Sequence, residues 1–150
     1  MSSETLTAVP ATRLPAEPMK PVIDPAAWTG KQLAQESGWQ FKLTEVEIAE
    51  IDQAVARVKN HGLDIKDITL SDFPLPTLDA KLAEIKTQVL EGRGVALLRG
   101  IPIHRYDIAE SAAAYWGIGL RIGNPVSQNH HGHLLGHVYE HASLLGHLAL

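Results

Sequence analysis

Apolar residues recur at helical spacing in a segment that opens with a helix-capping pair. Thr44 and Glu47 have the spacing of a capping box, in which each side chain bonds to the other residue's backbone amide. Gly62 follows the last apolar position and is suited to end a helix. The pattern predicts a helix over residues 45–60. Its core-facing positions are expected to be Ile48, Ile51, Val55 and Val58.

A second helix is predicted after a proline-containing linker. Residues 71–76 hold two prolines, and proline disfavours helical geometry in the residue before it. Thr77 is expected to cap the helix and Gly92 to stop it. The apolar stripe consists of Leu78, Leu82, Ile85 and Val89. Before the linker, residues 63–70 carry spaced apolar positions that suit a short extended piece.

The next segment predicts a strand, a third helix and a second strand. Residues 95–98 form a short apolar run between glycines, which suits a buried strand. Asp107 and Glu110 have capping-box spacing, and the helix is expected to end at Gly117 or Gly119. Its expected buried face is Ile108, Ala112, Tyr115 and Trp116. A polar loop follows, and residues 134–138 are a second apolar run.

The N-terminal part of the chain has no apolar period. Residues 1–25 are rich in Pro, Ala, Ser and Thr, so we expect a disordered or loosely docked arm. Residues 26–150 are expected to form a single domain. Trp28 and Trp39 flank a segment with room for a helical turn, and both are expected to anchor it on the core.

Composition narrows the class of protein. The chain has 150 residues, 45% apolar residues and no cysteine, so it contains neither a disulfide nor a thiolate metal site. A formal charge of −4 gives no electrostatic reason to expect nucleic-acid binding. No apolar run approaches the ~20 residues that span a bilayer, and the N-terminus lacks a secretory signal pattern. We therefore expect no membrane partner and a cytoplasmic location.

Histidines are concentrated near the C-terminus, where the tetrapeptide Leu-Leu-Gly-His occurs twice, at 134–137 and 144–147. His133, His137 and His141 are spaced by four, and on one helix face they could bind Zn²⁺, Ni²⁺ or Cu²⁺. The neighbouring glycines disfavour a helix. In a strand, His133 and His137 would lie about 13 Å apart, too far for one metal ion. The alternative hypothesis is that the chain is a non-catalytic, histidine-rich metal-binding or interaction module.

Four phrases occur in order along the chain: ITLSDFPLP at 68–76, GRGVALLRG at 92–100, AYWGIG at 114–119, and PVSQN at 125–129 with GHLLGH at 132–137. In this order and spacing they resemble the TauD/TfdA-like family of iron(II)- and 2-oxoglutarate-dependent dioxygenases. The resemblance implies an α+β chain that is the N-terminal part of a double-stranded β-helix, or jelly roll, with helices packed on an incomplete sheet. It also implies an oxidoreductase that hydroxylates a small molecule.

The resemblance implies Fe(II) and 2-oxoglutarate as cofactors, held by two histidines and a carboxylate. The first two ligands come as His-x-Asp or His-x-Glu, because alternate residues of a strand point the same way. None of the eight histidines is followed at that spacing by Asp or Glu. We therefore assign no catalytic residue and no iron ligand, and expect a truncated domain that is inactive alone.

One loop is a candidate for substrate contact by the same resemblance. In the family, the loop after the third helix borders the substrate pocket. Ser127, Gln128 and Asn129 occupy that loop here and offer hydrogen-bond donors and acceptors. The competing interpretation is that these side chains satisfy the backbone of a turn, as such residues commonly do.

Overall fold

The computed structural model describes residues 15–127 and 129–136. Within these ranges, the chain forms helices and two short strands. The α-helices are α1 (Gly30–Ala34), α2 (Glu45–His61), α3 (Leu78–Leu90) and α4 (Ile108–Ile122). The strands are β1 (Gln40–Lys42) and β2 (Leu97–Arg99), and single 3-10 turns span Ile65–Asp67 and Ile103–Arg105.

Two of the predicted helix starts are confirmed down to their capping bonds. The Thr44 hydroxyl accepts from the Glu47 amide at 3.3 Å, and the Glu47 carboxylate accepts from the Thr44 amide at 2.7 Å. Asp107 and Glu110 make the same reciprocal pair at the start of α4. The end of α2 is also as predicted, since Gly62 adopts φ +61°, a left-handed conformation that favours glycine.

The start of α3 is where the sequence predicts it, but the predicted capping group is wrong. Thr77 makes no side-chain capping bond, because its backbone is helical (φ −85°, ψ −40°) rather than extended. Instead, the carboxylate of Glu50 on α2 accepts from the amide of Thr77 at 2.9 Å and from that of Leu78 at 3.1 Å. One helix therefore caps the next.

Helix α4 is longer than predicted. It passes through Gly117 and Gly119 and ends at Ile122. Gly117 is buried against Phe73, so this glycine serves close packing and not termination. The predicted buried face is confirmed for Trp116 and wrong for Ile108 and Tyr115, which are 80% and 69% exposed. The other buried residues of α4 are small: Ala113, Ala114 and Gly117.

The two strands form a parallel pair in which Phe41 lies opposite Leu98. The strand predicted at 95–98 is thereby confirmed with a shift to Leu97–Arg99. Residues 65–67 form a 3-10 turn where an extended piece was expected. Leu134 and Leu135 lie in a bend, so the described part of the predicted second strand is not a strand, and Val138 lies outside the described residues. A helix-rich chain with one small sheet is compatible with part of a jelly roll but does not form one.

The core lies between α2, α3 and α4. Its fully buried large side chains are Ile51, Phe73, Leu75, Leu78 and Leu82. Phe73 and Leu75 belong to the proline-containing linker, which therefore contributes to the core as well as connecting two helices. The expected stripes of α2 and α3 face this core, with Ile48 and Val89 at its partly buried edge.

The segment around α1 is held by tryptophan contacts. Trp28 donates its indole N–H to the carbonyl oxygen of Arg93 at 2.9 Å, and Trp39 donates to the carbonyl oxygen of Glu36 at 2.8 Å. Both rings are partly buried, but neither belongs to the hydrophobic core or packs against it, so the expected anchoring on the core is not confirmed. Residues 15–23 are exposed and lie outside any helix or strand. The loosely docked arm over 1–25 stays a prediction.

Candidate functional site

The loop that follows α4 is organised by the side chain of Asn129. Its Oδ1 accepts from the backbone amides of His131 at 3.1 Å and His133 at 3.0 Å. Ser127 donates its hydroxyl to the Asn129 carbonyl oxygen at 3.2 Å. Two of the three predicted loop residues thus bond to the turn, and Gln128 lies outside the described residues. The exposed position of Ser127 leaves it accessible from solvent.

Three of the described histidines, His130, His131 and His133, lie in the same turn without forming a metal site. The ring centroids of His130 and His131 are 3.6 Å apart, and those of His131 and His133 are 5.6 Å apart. Within residues 15–127 and 129–136, no group of three or more His, Asp or Glu side chains is placed to hold a metal ion. His137 and His141, the other members of the predicted set, lie outside the described residues.

The described residues do not hold a donor set that fits an iron centre of the two-histidine, one-carboxylate type. Such a centre needs three converging ligands that leave positions free for cosubstrate and oxygen. No histidine in the sequence has an acidic residue two positions later. The described side chains also offer no converging group. No catalytic step at iron can therefore be assigned to residues 15–127 and 129–136.

The guanidinium of Arg121, near the C-terminal end of α4, is fully engaged by the fold. Its Nε donates to Asp79 on α3 at 2.6 Å, and its Nη2 donates to the carbonyl oxygen of Phe73 at 2.6 Å. Its Nη1 donates to the carbonyl oxygen of Gly117 at 3.1 Å. Arg121 is thus a structural residue that fixes the origin of the loop, and it is not available to bind a substrate carboxylate.

A second polar cluster fixes the start of α4. The Tyr106 hydroxyl donates to Asp52 Oδ1 at 2.5 Å, and Arg105 donates to Asp52 Oδ2 at 2.8 Å. Burial raises the pKa of the Tyr106 phenol above its usual value, and the hydrogen bond and charge of Asp52 raise it further. Tyr106 is therefore a neutral hydrogen-bond donor at physiological pH. The sequence pattern did not predict this cluster, because Asp52 and Tyr106 are far apart along the chain.

An apolar cavity of about 650 Å³ lies along α4 and reaches the loop. Asn124 and Pro125 line it, whereas Ser127 and Asn129 do not. Among the residues that the structure describes, no charged side chain lines the cavity; its walls come from residues such as Ile101, Tyr115 and Ile122. The apolar pattern of the sequence does not predict this cavity. The signal that was available is the continuous apolar character of α4, because a helix that is apolar all round has to be covered on more than one side.

No described helix is both long enough and apolar enough to cross a bilayer.

Comparison with known proteins supports the resemblance in the four sequence phrases. The family described as "Taurine catabolism dioxygenase TauD, TfdA family" matches residues 20–147. FR-33289 synthase of Streptomyces rubellomurinus is 34% identical over 113 residues, which cover 75% of this chain and 33% of that protein. Taurine hydroxylase-like protein SAT17 of Stachybotrys chartarum is 29% identical over 121 residues, covering 80% of this chain and 31% of that protein.

The chain spans about a third of the length of the curated relatives it matches. The matched stretch nevertheless includes every helix and strand that the structure describes. This 150-residue chain therefore belongs to the TauD/TfdA family.

Proposed function

We propose that this chain forms the helical layer and the substrate-side loop of an iron(II)- and 2-oxoglutarate-dependent dioxygenase that hydroxylates a small molecule. The observation that carries the proposal is the family match over residues 20–147. In such a reaction, O₂ oxidises 2-oxoglutarate to succinate and CO₂, and one oxygen atom becomes the hydroxyl group of the product. The location that we propose for the protein is the cytoplasm.

We also propose that these 150 residues do not carry out this reaction alone. The iron centre needs two histidines and a carboxylate in one constellation. The sequence has no His-x-Asp or His-x-Glu pair. The segment shared with the two relatives makes up 33% and 31% of their lengths. The ligands are then expected to come from residues beyond those of this chain.

The contribution that we propose for this chain is support and orientation of the substrate-side loop. Arg121 ties the end of α4 to α3 and to the carbonyl oxygen of Phe73, which gives the loop a rigid origin. The turn holds the side-chain oxygen of Asn129 and thereby sets the direction of its amide nitrogen. Ser127, Gln128 and Asn129 would then offer polar contacts to a bound small molecule.

The test compares the chain alone with a chimera. The purified 150-residue protein is incubated with Fe(II), ascorbate, 2-oxoglutarate and O₂, and succinate and oxygen consumption are measured. We expect no turnover above that of free iron. In the chimera, residues 28–136 replace the matching segment of FR-33289 synthase, and we expect succinate formation that depends on the relative's own substrate.

Two results would contradict the proposal. Stoichiometric oxygen uptake and succinate formation by the isolated chain would refute the proposal that this chain lacks the iron ligands. A chimera that melts cooperatively but has no turnover, beside an active parent enzyme, would refute the supporting role. A matched chimera carrying Gly117→Leu, which places a large side chain against Phe73, serves as the control for loss of the helical layer.

A further inference from the structure

Helix α4 presents an apolar surface away from the core. We define the α4 face as Ile101, Ile103, Tyr115, Ile118 and Ile122, which all line the 650 Å³ cavity. Ile103 is 67% exposed and Tyr115 is 69% exposed. Exposed apolar patches of this kind mark places where another segment or molecule binds.

The chain itself returns to this face just before the described residues end. After the turn at Asn129, Leu134 and Leu135 both line the cavity on the α4 face. Leu135 also lines a second cavity of about 530 Å³, on the side of α4 that carries Ile108. These two leucines begin the first copy of the tetrapeptide Leu-Leu-Gly-His. The first copy is therefore an apolar contact with α4 and leaves part of the face uncovered.

The second copy of the tetrapeptide has the composition that the uncovered part requires. Residues 144–150 read Leu-Leu-Gly-His-Leu-Ala-Leu and contain no Asp, Glu, Lys or Arg. The cavity on the α4 face likewise has no charged lining residue. An uncharged, leucine-rich segment can enter such a cavity without burying an unpaired charge.

The connection is long enough for the second copy to reach any point on α4. The eight residue-to-residue steps from Gly136 to Leu144 span at most about 29 Å when extended. Helix α4 has 15 residues and is about 22 Å long. A short tether also gives an effective concentration of roughly millimolar, which favours this segment over a second copy of the chain at micromolar concentration.

We propose that residues 144–150 dock on the α4 face, with Leu144 and Leu145 entering the cavity beside the leucines of the first tetrapeptide. The docked segment covers Tyr115 and Ile118 and so completes the burial of α4. This role is independent of the proposed dioxygenase activity, because it concerns only contacts within this chain.

Disulfide cross-linking in the full 150-residue chain tests the proposal, because the chain has no cysteine of its own. The test variant carries Tyr115→Cys and Leu145→Cys. The control carries Gln53→Cys and Leu145→Cys; Gln53 is exposed on α2 and lines neither α4 cavity. Both variants are oxidised mildly at several protein concentrations and analysed by non-reducing gel and intact mass.

We expect an intramolecular disulfide that forms about tenfold faster in the test variant than in the control, at a rate independent of protein concentration. Equal rates in the two variants would overturn the proposal. A disulfide between two chains, formed faster at higher concentration, would also overturn it and assign the α4 face to a second copy.

Amide hydrogen exchange is a second test of the proposal that does not depend on the folding of the cysteine variants. Leu144→Ser combined with Leu145→Ser removes the apolar contacts but leaves the described core unchanged. We expect exchange in α4 to become several-fold faster, whereas exchange in α3 stays as in the wild type. Unchanged exchange in α4 would refute docking of this segment.

Discussion

Gly117 lies directly against the ring of Phe73: a Cβ atom built on this glycine would be 2.3 Å from Phe73 Cδ1. Both residues are buried, Phe73 completely. The absence of a side chain at position 117 is what allows α4 to approach the 71–76 segment. The approach in turn lets Arg121, one turn later, reach the carbonyl oxygen of Phe73.

Gly117→Ala is expected to destabilise the protein despite the higher helix propensity of alanine. Propensity alone favours alanine by about 1 kcal/mol. The added methyl group must displace a completely buried ring, and overpacking of this kind costs about 1–3 kcal/mol or more. We expect a lower free energy of unfolding in urea, together with a change in the near-UV signal.

Gly119→Ala is the matched control in the same helix. Apart from its chain neighbours and the backbone of its own helix, no described atom lies within 4 Å of the position where its Cβ would be. We expect this variant to be more stable than the wild type by up to about 1 kcal/mol. Equal effects of the two substitutions would show that propensity, and not the contact with Phe73, determines the residue at 117.

Glu50→Ala is expected to destabilise the protein more than Thr77→Ala. The Glu50 carboxylate accepts from the first amides of α3, whereas the Thr77 side chain makes no capping bond. Loss of a helix cap costs about 0.5–2 kcal/mol, so we expect that cost for Glu50→Ala and less than about 0.5 kcal/mol for Thr77→Ala. Chemical denaturation measures the free energy of unfolding of both variants. The reverse order of effects would show that Thr77 is the cap.

Glu47 makes stability depend on pH in the acidic range. Burial alone would raise the pKa of its carboxyl, but hydrogen bonds from Lys81 and Thr44 outweigh burial and lower the pKa below 4.5. A carboxyl with a lowered pKa in the folded state stabilises the fold above its unfolded pKa. This stabilisation is lost as the pH falls through the folded pKa.

Glu47→Gln is therefore expected to cost about 1–3 kcal/mol at pH 7, because glutamine preserves the capping geometry but loses the charged bond to Lys81 at 2.5 Å. The difference from the wild type should shrink as the pH falls below 4.5. Urea denaturation at a series of pH values measures this difference in the free energy of unfolding. Glu45→Gln, exposed in the same turn, is the control, and a difference for Glu47→Gln that is constant with pH would contradict the assignment.

Tyr106→Phe is expected to lower stability by about 1 kcal/mol at neutral pH, through loss of the hydrogen bond to Asp52. The raised pKa of Tyr106 means that only the unfolded state ionises just above pH 10, so the wild type should lose stability there. The phenylalanine variant should lose less over the same range. Thermal melts between pH 8 and about pH 11 measure both effects. Parallel curves for the two proteins would show that Tyr106 is not perturbed.

The sequence predicted those elements whose determinants are local. Thr44 with Glu47 and Asp107 with Glu110 lie three residues apart, so the capping pairs can be recognised without knowledge of the fold. The cap of α3 could not be predicted in this way, because Glu50 acts from another helix. The sequence predicts a helix end at Gly117, and this prediction is wrong. A sequence alone does not distinguish a glycine that ends a helix from one that permits close packing.

The candidate site was predicted less completely than the helices. The position of the loop after α4 follows from the helix pattern and the Asn-Pro sequence. The cavity beside it depends on which side of α4 faces the core, and the burial of alanines in place of Ile108 and Tyr115 reversed the expectation. The apolar pattern predicts that Ile108 and Tyr115 face the core. In the structure, the close packing of α4 places small residues such as Ala113 and Ala114 there instead.

Arg121 joins three parts of the chain through one planar group, since it binds Asp79 on α3, the carbonyl oxygen of Phe73 and the carbonyl oxygen of Gly117. A tilt of α3 would pull on the same guanidinium that steadies the base of the loop. A displacement of α3 would thus be coupled through Arg121 to the end of α4, where the loop begins.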